Sequence, residues 1–413
     1  MRRSTKVVVG LTSVALIAGA ACKPGAPDPA FGDHGTVAVA GVTGERRLYP
    51  TADGGTLVGG PIPLVALGPD GVRHDDLDLG LPPGCIGWDT LERDGDGFVG
   101  LCRGAAGPLG VARTSAAGTP DLAFGDDGVA PPPVEMPRPQ DVVALPAGGY
   151  ALAGVGPGEG TRASAPPVVV AVLDDAGDVA AVASATPRVQ PIPPEIDATP
   201  YASGARVQAT DSGAAVLASV GTTVVNVPFG TTAVSRLDAD GDVVDGLHAP
   251  GFDLRRDDWT GVVDLDAGRW AVAATATTFD FEGHRQSTVG TVTIRLPDGS
   301  VDPAAPTISP ALPDGRLILP RAVLSTAGGT RLWVAGAVAG SPTAVVARYD
   351  AASGALDPAF GTGGIVTLPM ASVSDMAVSV DGRARVYVAG TDAGGDVVVT
   401  RLFGHTSPPA PAS

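Results

Sequence analysis

The sequence predicts an all-β chain closed into a β-propeller of about seven four-stranded blades, and three observations carry that expectation. A string of about ten residues recurs, as Asp28-Pro29-Ala30-Phe31-Gly32-Asp33-His34-Gly35-Thr36-Val37, as Asp121-Leu122-Ala123-Phe124-Gly125-Asp126-Asp127-Gly128-Val129, and as Leu356-Asp357-Pro358-Ala359-Phe360-Gly361-Thr362-Gly363-Gly364-Ile365-Val366. An apolar run, an Asp/Gly-type turn and a second apolar run recur about seven times. The ends are uneven: the last unit stops near His405 after its third run, whereas the string at Asp28 arrives with no runs before it.

The paired runs are Leu48 to Gly60, Thr90 to Leu101, Val142 to Gly154, Val207 to Val220, Val262 to Ala274, Val323 to Gly336 and Met376 to Gly390. Apolar segments flanking a short polar turn read as hairpins. A third run follows each: Leu64 to Gly71, Leu109 to Gly118, Val168 to Gly177, Ala233 to Gly241, Val292 to Gly299, Val345 to Gly354 and Val397 to Gly404. Five of these end near a basic residue, Arg113, Arg236, Arg295, Arg348 or Arg401. The recurring string then reads as a corner into a fourth strand. Asp-Pro starts a turn, Phe offers a ring to bury, the glycines permit positive φ, and Val or Ile opens the strand.

Such a unit is roughly 55 residues long, near the period of known propeller repeats. The N-terminal strand is expected to complete the last blade, which leaves no exposed sheet edge. An open β-solenoid or a pair of β-sandwiches would use the same short strands, but the uneven ends argue for closure. Gly 58 and Pro 39 beside 44% hydrophobic residues fit many short strands separated by turns, and no amphipathic helix follows the N-terminal segment.

The corner strings, Leu356 to Val366 above all, resemble the delta-60 repeat of large bacterial envelope and secreted proteins. Pro27 stands where that pattern has Leu, Leu122 replaces Pro, and Val301-Asp302-Pro303 begins the string without its Phe-Gly. The resemblance implies a propeller-like repeat protein and carries no general activity or ligand.

At the N-terminus Arg2, Arg3 and Lys6 precede an apolar run from Val7 to Ala18 and the small residues Gly19, Ala20 and Ala21. The run is too short for a membrane span and has the layout of a secretion signal. Ile17-Ala18-Gly19-Ala20-Ala21-Cys22 resembles the lipobox of bacterial lipoproteins, with Gly19 where Leu is usual, so Cys22 is the expected lipidation site and simple cleavage at the Ala-rich stretch the alternative. The expected organisation is a signal peptide over 1–21, a lipidated tether over 22–27, a propeller over 28–405 and a disordered tail over 406–413. The protein is then exported and held on the cell envelope, or secreted. Cys85 and Cys102 remain as a pair suited to a disulfide in an oxidising compartment, or as two buried thiols.

The formal net charge is −17, with Lys only at Lys6 and Lys23. With acidic residues spread throughout and no basic stripe, nucleic acid is excluded as a partner. No His-Glu-x-x-His, Gly-x-Ser-x-Gly, P-loop or Ser-x-x-Lys string occurs. His34, His74, His248, His284 and His405 lack metal-ligand spacing. Asp94, Asp96, Asp238, Asp240 and Asp242 lie in Asp/Gly clusters that would suit calcium, though the same residues are ordinary hairpin-turn chemistry, and no other cofactor is implied.

Connections from strand two to three and from blade to blade leave a propeller on one face. Long segments fall there: 155–166, 190–204, 250–259, 275–288 and 302–320. They bring Tyr201, Arg255, Arg256, Asp257, Asp258, Trp259, Phe281, Glu282, His284 and Arg285, residue types that suit a protein or carbohydrate ligand. The expected function is a non-catalytic binding module on the envelope. A hydrolase or lyase in the propeller channel, or a structural envelope protein, is the alternative. If Cys22 is the anchor, the N-terminal peptide recovered from cells carries two or three acyl chains, and Cys22→Ser abolishes that mass; an unmodified N-terminus would assign the chain to the soluble secreted proteins.

Overall fold

The structure, a computed structural model, describes residues 23–42, 47–59, 64–74, 76–157, 165–185, 198–210, 213–224, 227–238, 243–248, 255–265, 268–279, 285–297, 300–325, 329–379 and 385–404. No α-helix occurs among them. Strand β1 (Thr36–Val39) stands first. Blade 1 is β2 (Arg47–Pro50), β3 (Thr56–Gly59) and β4 (Val65–Leu67); blade 2 is β5 (Gly87–Asp94), β6 (Gly97–Gly104) and β7 (Gly107–Thr114). Blade 3 is β8 (Arg138–Ala144), β9 (Tyr150–Val155), β10 (Val168–Leu173) and β11 (Val179–Ala185); blade 4 is β12 (Ala198–Thr210), β13 (Gly213–Val224), β14 (Val227–Asp238) and β15 (Val243–His248). Blade 5 is β16 (Arg255–Asp264), β17 (Trp270–Phe279) and β18 (Arg285–Arg295), and blade 6 is β19 (Ile318–Ser325), β20 (Arg331–Val338), β21 (Ala344–Asp350) and β22 (Ile365–Leu368). Blade 7 is β23 (Ser372–Val378), β24 (Arg385–Thr391) and β25 (Val397–Phe403), completed by β1 in the order β1-β25-β24-β23.

Each predicted hairpin and third run corresponds to the first three strands of one blade. In blades 1, 2 and 5 the fourth strand is reduced to isolated bridges, Leu64↔Leu77, Val111↔Ala130 and Val292↔Ile308. Ring closure is antiparallel, from Thr36↔Thr400 to Val39↔Val397. The segment expected as a tether, 22–27, is bonded to the ring from Pro24 onward: Gly25 donates to the Phe403 carbonyl at 2.7 Å, Phe403 to Ala26 at 3.0 Å and Gly361 to Pro24 at 2.9 Å. Cys22 and residues 405–413 lie outside the described residues.

The core is divided among the junctions. Seven buried apolar clusters each join two neighbouring blades, including one that seats Phe31, Val39 and Tyr387 against Leu48, Val58 and Val65 across the closure. Strands β9 and β10 are buried along their whole length because both faces meet a neighbouring blade. Blades therefore lean on each other and none has a private core, which makes closure a condition of stability.

The corner string is a clasp. The Asp carboxylate caps the turn by accepting from Ala30, Ala123 and Ala359 at 3.0 Å in the three copies. The Arg closing the third strand pairs with that Asp: Arg113 with Asp121 at 2.7 Å, Arg348 with Asp357 at 3.0 Å and Arg401 with Asp28 at 2.9 Å. The same guanidinium lies over the Phe ring, 4.9 Å from Phe124, 4.9 Å from Phe360 and 4.6 Å from Phe31. The following glycine, Gly32, Gly125 or Gly361, holds φ between +51° and +61° and donates to the next blade, to Asp70, Ala176 and Pro24. The basic residue seen in the sequence at the end of the third run is thus half of an ion pair with the corner.

Arg401 is fully buried, and Asp28, 1% exposed, also meets Arg385 at 2.9 Å. Replacing Arg401 by Met would leave that carboxylate with one cation and cancel the bonds to the Pro69 and Gly54 carbonyls. We expect Arg401→Met to lower stability by about 3–5 kcal/mol in urea unfolding; a loss below about 1 kcal/mol would mean the clasp does not hold the ring.

Candidate functional site

The innermost strands β2, β5, β8, β12, β16, β19 and β23 line the central channel, and all seven contribute to a cavity of about 290 Å³ at its waist. Six of the seven carry an irregularity at about the same height: between Trp88 and Thr90, Pro139 and Asp141, Ser203 and Arg206, Trp259 and Gly261, Pro320 and Ala322, and Val373 and Asp375. Such bulges bend a strand and re-aim its side chains. Thr260, Arg321 and Ser374, the extra residues of three of them, line the cavity. Opposite three bulges the second strand has Gly154, Gly336 or Gly390, where a Cβ would overlap the carbonyl oxygen of Arg138, Leu319 or Ser372. This close approach explains the glycines that end the predicted hairpins.

The lining mixes apolar and charged residues and is balanced in charge, Arg47, Arg206 and Arg321 against Glu92, Asp141 and Asp375, with no His, Cys or Lys among the described residues. Most of these groups stitch blade to blade. Asp375 accepts from Leu48 N–H at 2.8 Å with one oxygen and from Met376 N–H at 2.8 Å with the other. Arg47 pairs with Glu92 and reaches the Leu91 carbonyl, which the Tyr49 hydroxyl also meets at 2.9 Å. Gln208 accepts from Val262 N–H at 2.9 Å, and Gln140 from Ala205 N–H at 2.6 Å.

Asp141 differs. It is 2% exposed, its Oδ2 accepts from Val207 N–H at 3.3 Å, and its Oδ1 has no hydrogen-bond partner. Burial pushes its carboxyl up to about 6, against the opposing pull of the Arg47 and Arg206 charges.

The sequence-predicted face is only partly described. Arg255, Arg256, Asp257, Asp258 and Trp259, expected in a loop, lie on β16, paired from Arg255↔Thr278 to Trp259↔Ala274. The 275–288 loop shrinks likewise, because Thr275–Phe279 extends β17 and Arg285 opens β18; the β-branched residues of this stretch favour strand. Tyr201 stands on β12 opposite Gly221, and Arg285 is exposed with its guanidinium on Thr288 at 2.7 Å. Phe281, Glu282 and His284 lie outside the described residues.

Asp94 closes the β5–β6 turn opposite Gly97 and accepts from the Tyr150 hydroxyl at 2.8 Å; Asp96 is within that turn and Asp238 ends β14. Asp240 and Asp242 fall outside the described residues, among which no three His, Cys, Asp or Glu side chains gather as a metal site. Cys85 and Cys102 are bonded, with Cα atoms 5.7 Å apart, tying the approach to β5 onto β6.

The chain matches no known protein family and no curated protein. Solved structures match it over most of its length. Hydrazine synthase of Kuenenia stuttgartiensis aligns with a TM-score of 0.51 and 12% identity, covering 88% of this chain and 97% of that one. The WD40 domain of Neurospora crassa Pan2 aligns with a TM-score of 0.47 and 12% identity, covering 90% and 95%. The Dos1 propeller also aligns, with a TM-score of 0.45 and 10% identity, covering 93% of this chain and 95% of that one. The likeness is one of fold.

With a folded-state value above the ordinary 3.8, Asp141 keeps its proton after the unfolded chain has lost it. Its contribution to stability is therefore greatest below about pH 4, falls as pH rises, and is lost above about pH 6. Asp141→Asn keeps an acceptor for Val207 and removes the titration. Urea unfolding across this range should show the variant gaining on the wild type as pH rises, by up to about 3 kcal/mol at neutrality; parallel profiles would show that Asp141 ionises normally.

Proposed function

We propose that this chain is an exported, envelope-anchored binding module on a β-propeller scaffold that takes a protein or glycan ligand without transforming it. The observation that carries this reading is the employment of the channel charges. Asp375 and the Arg47–Glu92 pair, with the neutral Gln208 beside them, join neighbouring blades, and among the described residues the cavity lining offers no imidazole, thiol or amine for proton transfer or attack. Export and anchoring are supported by the signal-like N-terminus and Cys22, by the resemblance of the corner strings to the delta-60 repeat, and by the Cys85–Cys102 bond, which suits an oxidising compartment.

One observation favours a second reading, a hydrolase or lyase with its site in the channel. Asp141 is a buried carboxyl raised toward neutrality beside a polar cavity, a condition often met by general acids.

A screen of envelope proteins and glycans with the purified chain, followed by mass analysis of whatever binds, separates the two. Saturable binding with the ligand recovered intact is expected. Conversion of a bound glycan, abolished by Asp141→Asn, would establish the enzyme instead, and no saturable ligand at all would remove the binding reading.

A further inference from the structure

Ring closure completes the last blade, yet each blade still ends in an outermost strand, and an unpaired strand edge is a template for another strand. Most of these edges are blunted. In blades 1, 2 and 5 the fourth strand is reduced to isolated bridges. Strands β1 and β22 are four residues long, with one exposed residue each. Strand β15 carries Asp245 and His248 and meets β14 through two register shifts.

Strand β11 lacks these devices over most of its length. Its seven residues, Val179-Ala180-Ala181-Val182-Ala183-Ser184-Ala185, include no charge, proline or glycine, and five are exposed, Val179 at 46% and Val182 at 39% among them. Strand β10 pairs along one side, and among the described residues no strand pairs along the other. The one register shift falls at Ala180, which leaves 181–185 regular.

We infer that this edge joins two copies of the chain. Strand β11 of one copy lies antiparallel to β11 of the other, about a twofold axis at Ala183, and fuses two four-stranded blades into one continuous sheet. In that register Ala181 stands opposite Ala185, Val182 opposite Ser184 and Ala183 opposite its own copy. Each Val182 therefore meets a small side chain, and no charge is brought against another. The acidic turn before the strand selects the direction. Asp174, Asp175 and Asp178 are exposed there; antiparallel pairing sets the two turns at opposite ends of the joint, whereas parallel pairing would put like charges side by side. The strand is thus complementary to itself. Each copy has one such edge among the described residues, so pairing closes at two and does not propagate. Pairing over so few residues falls below the roughly 1,200 Å² of stable complexes, so association should be weak and reversible, with a Kd of about 0.01–0.5 mM.

The test is sedimentation velocity of the full chain from about 5 to 500 µM, over which a monomer should give way to a dimer. Val182→Lys puts a charge into the edge and should weaken dimerisation about tenfold or more. Ser184→Lys, also at an exposed position, should do the same where the first variant loses stability. Ile86→Lys removes an apolar residue 62% exposed on blade 2 and should leave dimerisation unchanged. Directly opposite residues of antiparallel strands have Cα atoms about 4.5–5.5 Å apart, within the span of a disulfide. In a Cys22→Ser background, Ala183→Cys should therefore form a covalent dimer under mild oxidation. Val179→Cys should not, because its copy lies about 25 Å away in this register. A monomer throughout overturns the proposal and leaves the edge open to a strand of another protein. A dimer that both lysine variants leave intact, growth past the dimer, or cross-linking at Val179→Cys as ready as at Ala183→Cys overturns it as well.

Discussion

One buried ion pair sits where the two ends of the chain meet, and the ring depends on it. Arg401 on the third strand of the last blade grips Asp28 just before the first strand in sequence, while reaching across to the carbonyls of Pro69 and Gly54 in blade 1. The grip acts through charge rather than through aligned hydrogen bonds, since Asp28 Oδ2 sits 2.9 Å from two guanidiniums without accepting well from either. In the interior that attraction is only lightly screened. Because each apolar cluster belongs to two blades, an open ring would expose half a cluster at each free edge. Closure and core are thus one constraint.

The clasp has been altered blade by blade without losing its logic. Blade 5 keeps the capping Asp, with Asp302 accepting from Ala304 at 2.9 Å, but lacks the Phe. Its Arg295 lies over Trp270 on the neighbouring strand instead, at 5.7 Å, and the capping carboxylate meets Arg269 at 3.5 Å. An aromatic plane, a guanidinium and a carboxylate recur, supplied from different positions. Blades 4 and 5 also have the longest strands, and a parallel bridge, Gly230↔Arg256, links β14 to β16. A propeller tolerates such unequal blades because its constraint is the fit between neighbours, not the identity of repeats.

The blades were legible because hairpins are local: an apolar run, a turn and a second run specify their pairing within about 15 residues. Closure was legible because an orphan corner at Asp28 and a missing fourth strand after β25 left one solution. The channel was not. Its residues come a few at a time from seven distant strands, several of them as a polar break ahead of an apolar pair, as with Asp141 before Val142-Val143 or Ser374-Asp375 before Met376-Ala377. Aligning those first strands on the breaks would have placed them in one ring. Loop length pointed instead to 250–259 and 275–288, where Thr, Val and Ala continue the ladders as strand. The Arg of each third strand was visible, but its Asp lies eight to nine residues on in two copies and across the whole chain in the third, so the pair emerges only with the fold.

Hydrogen bonds fasten Pro24, Gly25 and Ala26 to blades 6 and 7, and Ala26 N–H also donates to the Lys23 carbonyl at 2.9 Å, so the body of the propeller begins one residue after Cys22. A lipid on Cys22 would then be a short stalk, not a leash. The disc would be held close to the bilayer, with its rim between blades 6 and 7 nearest the headgroups.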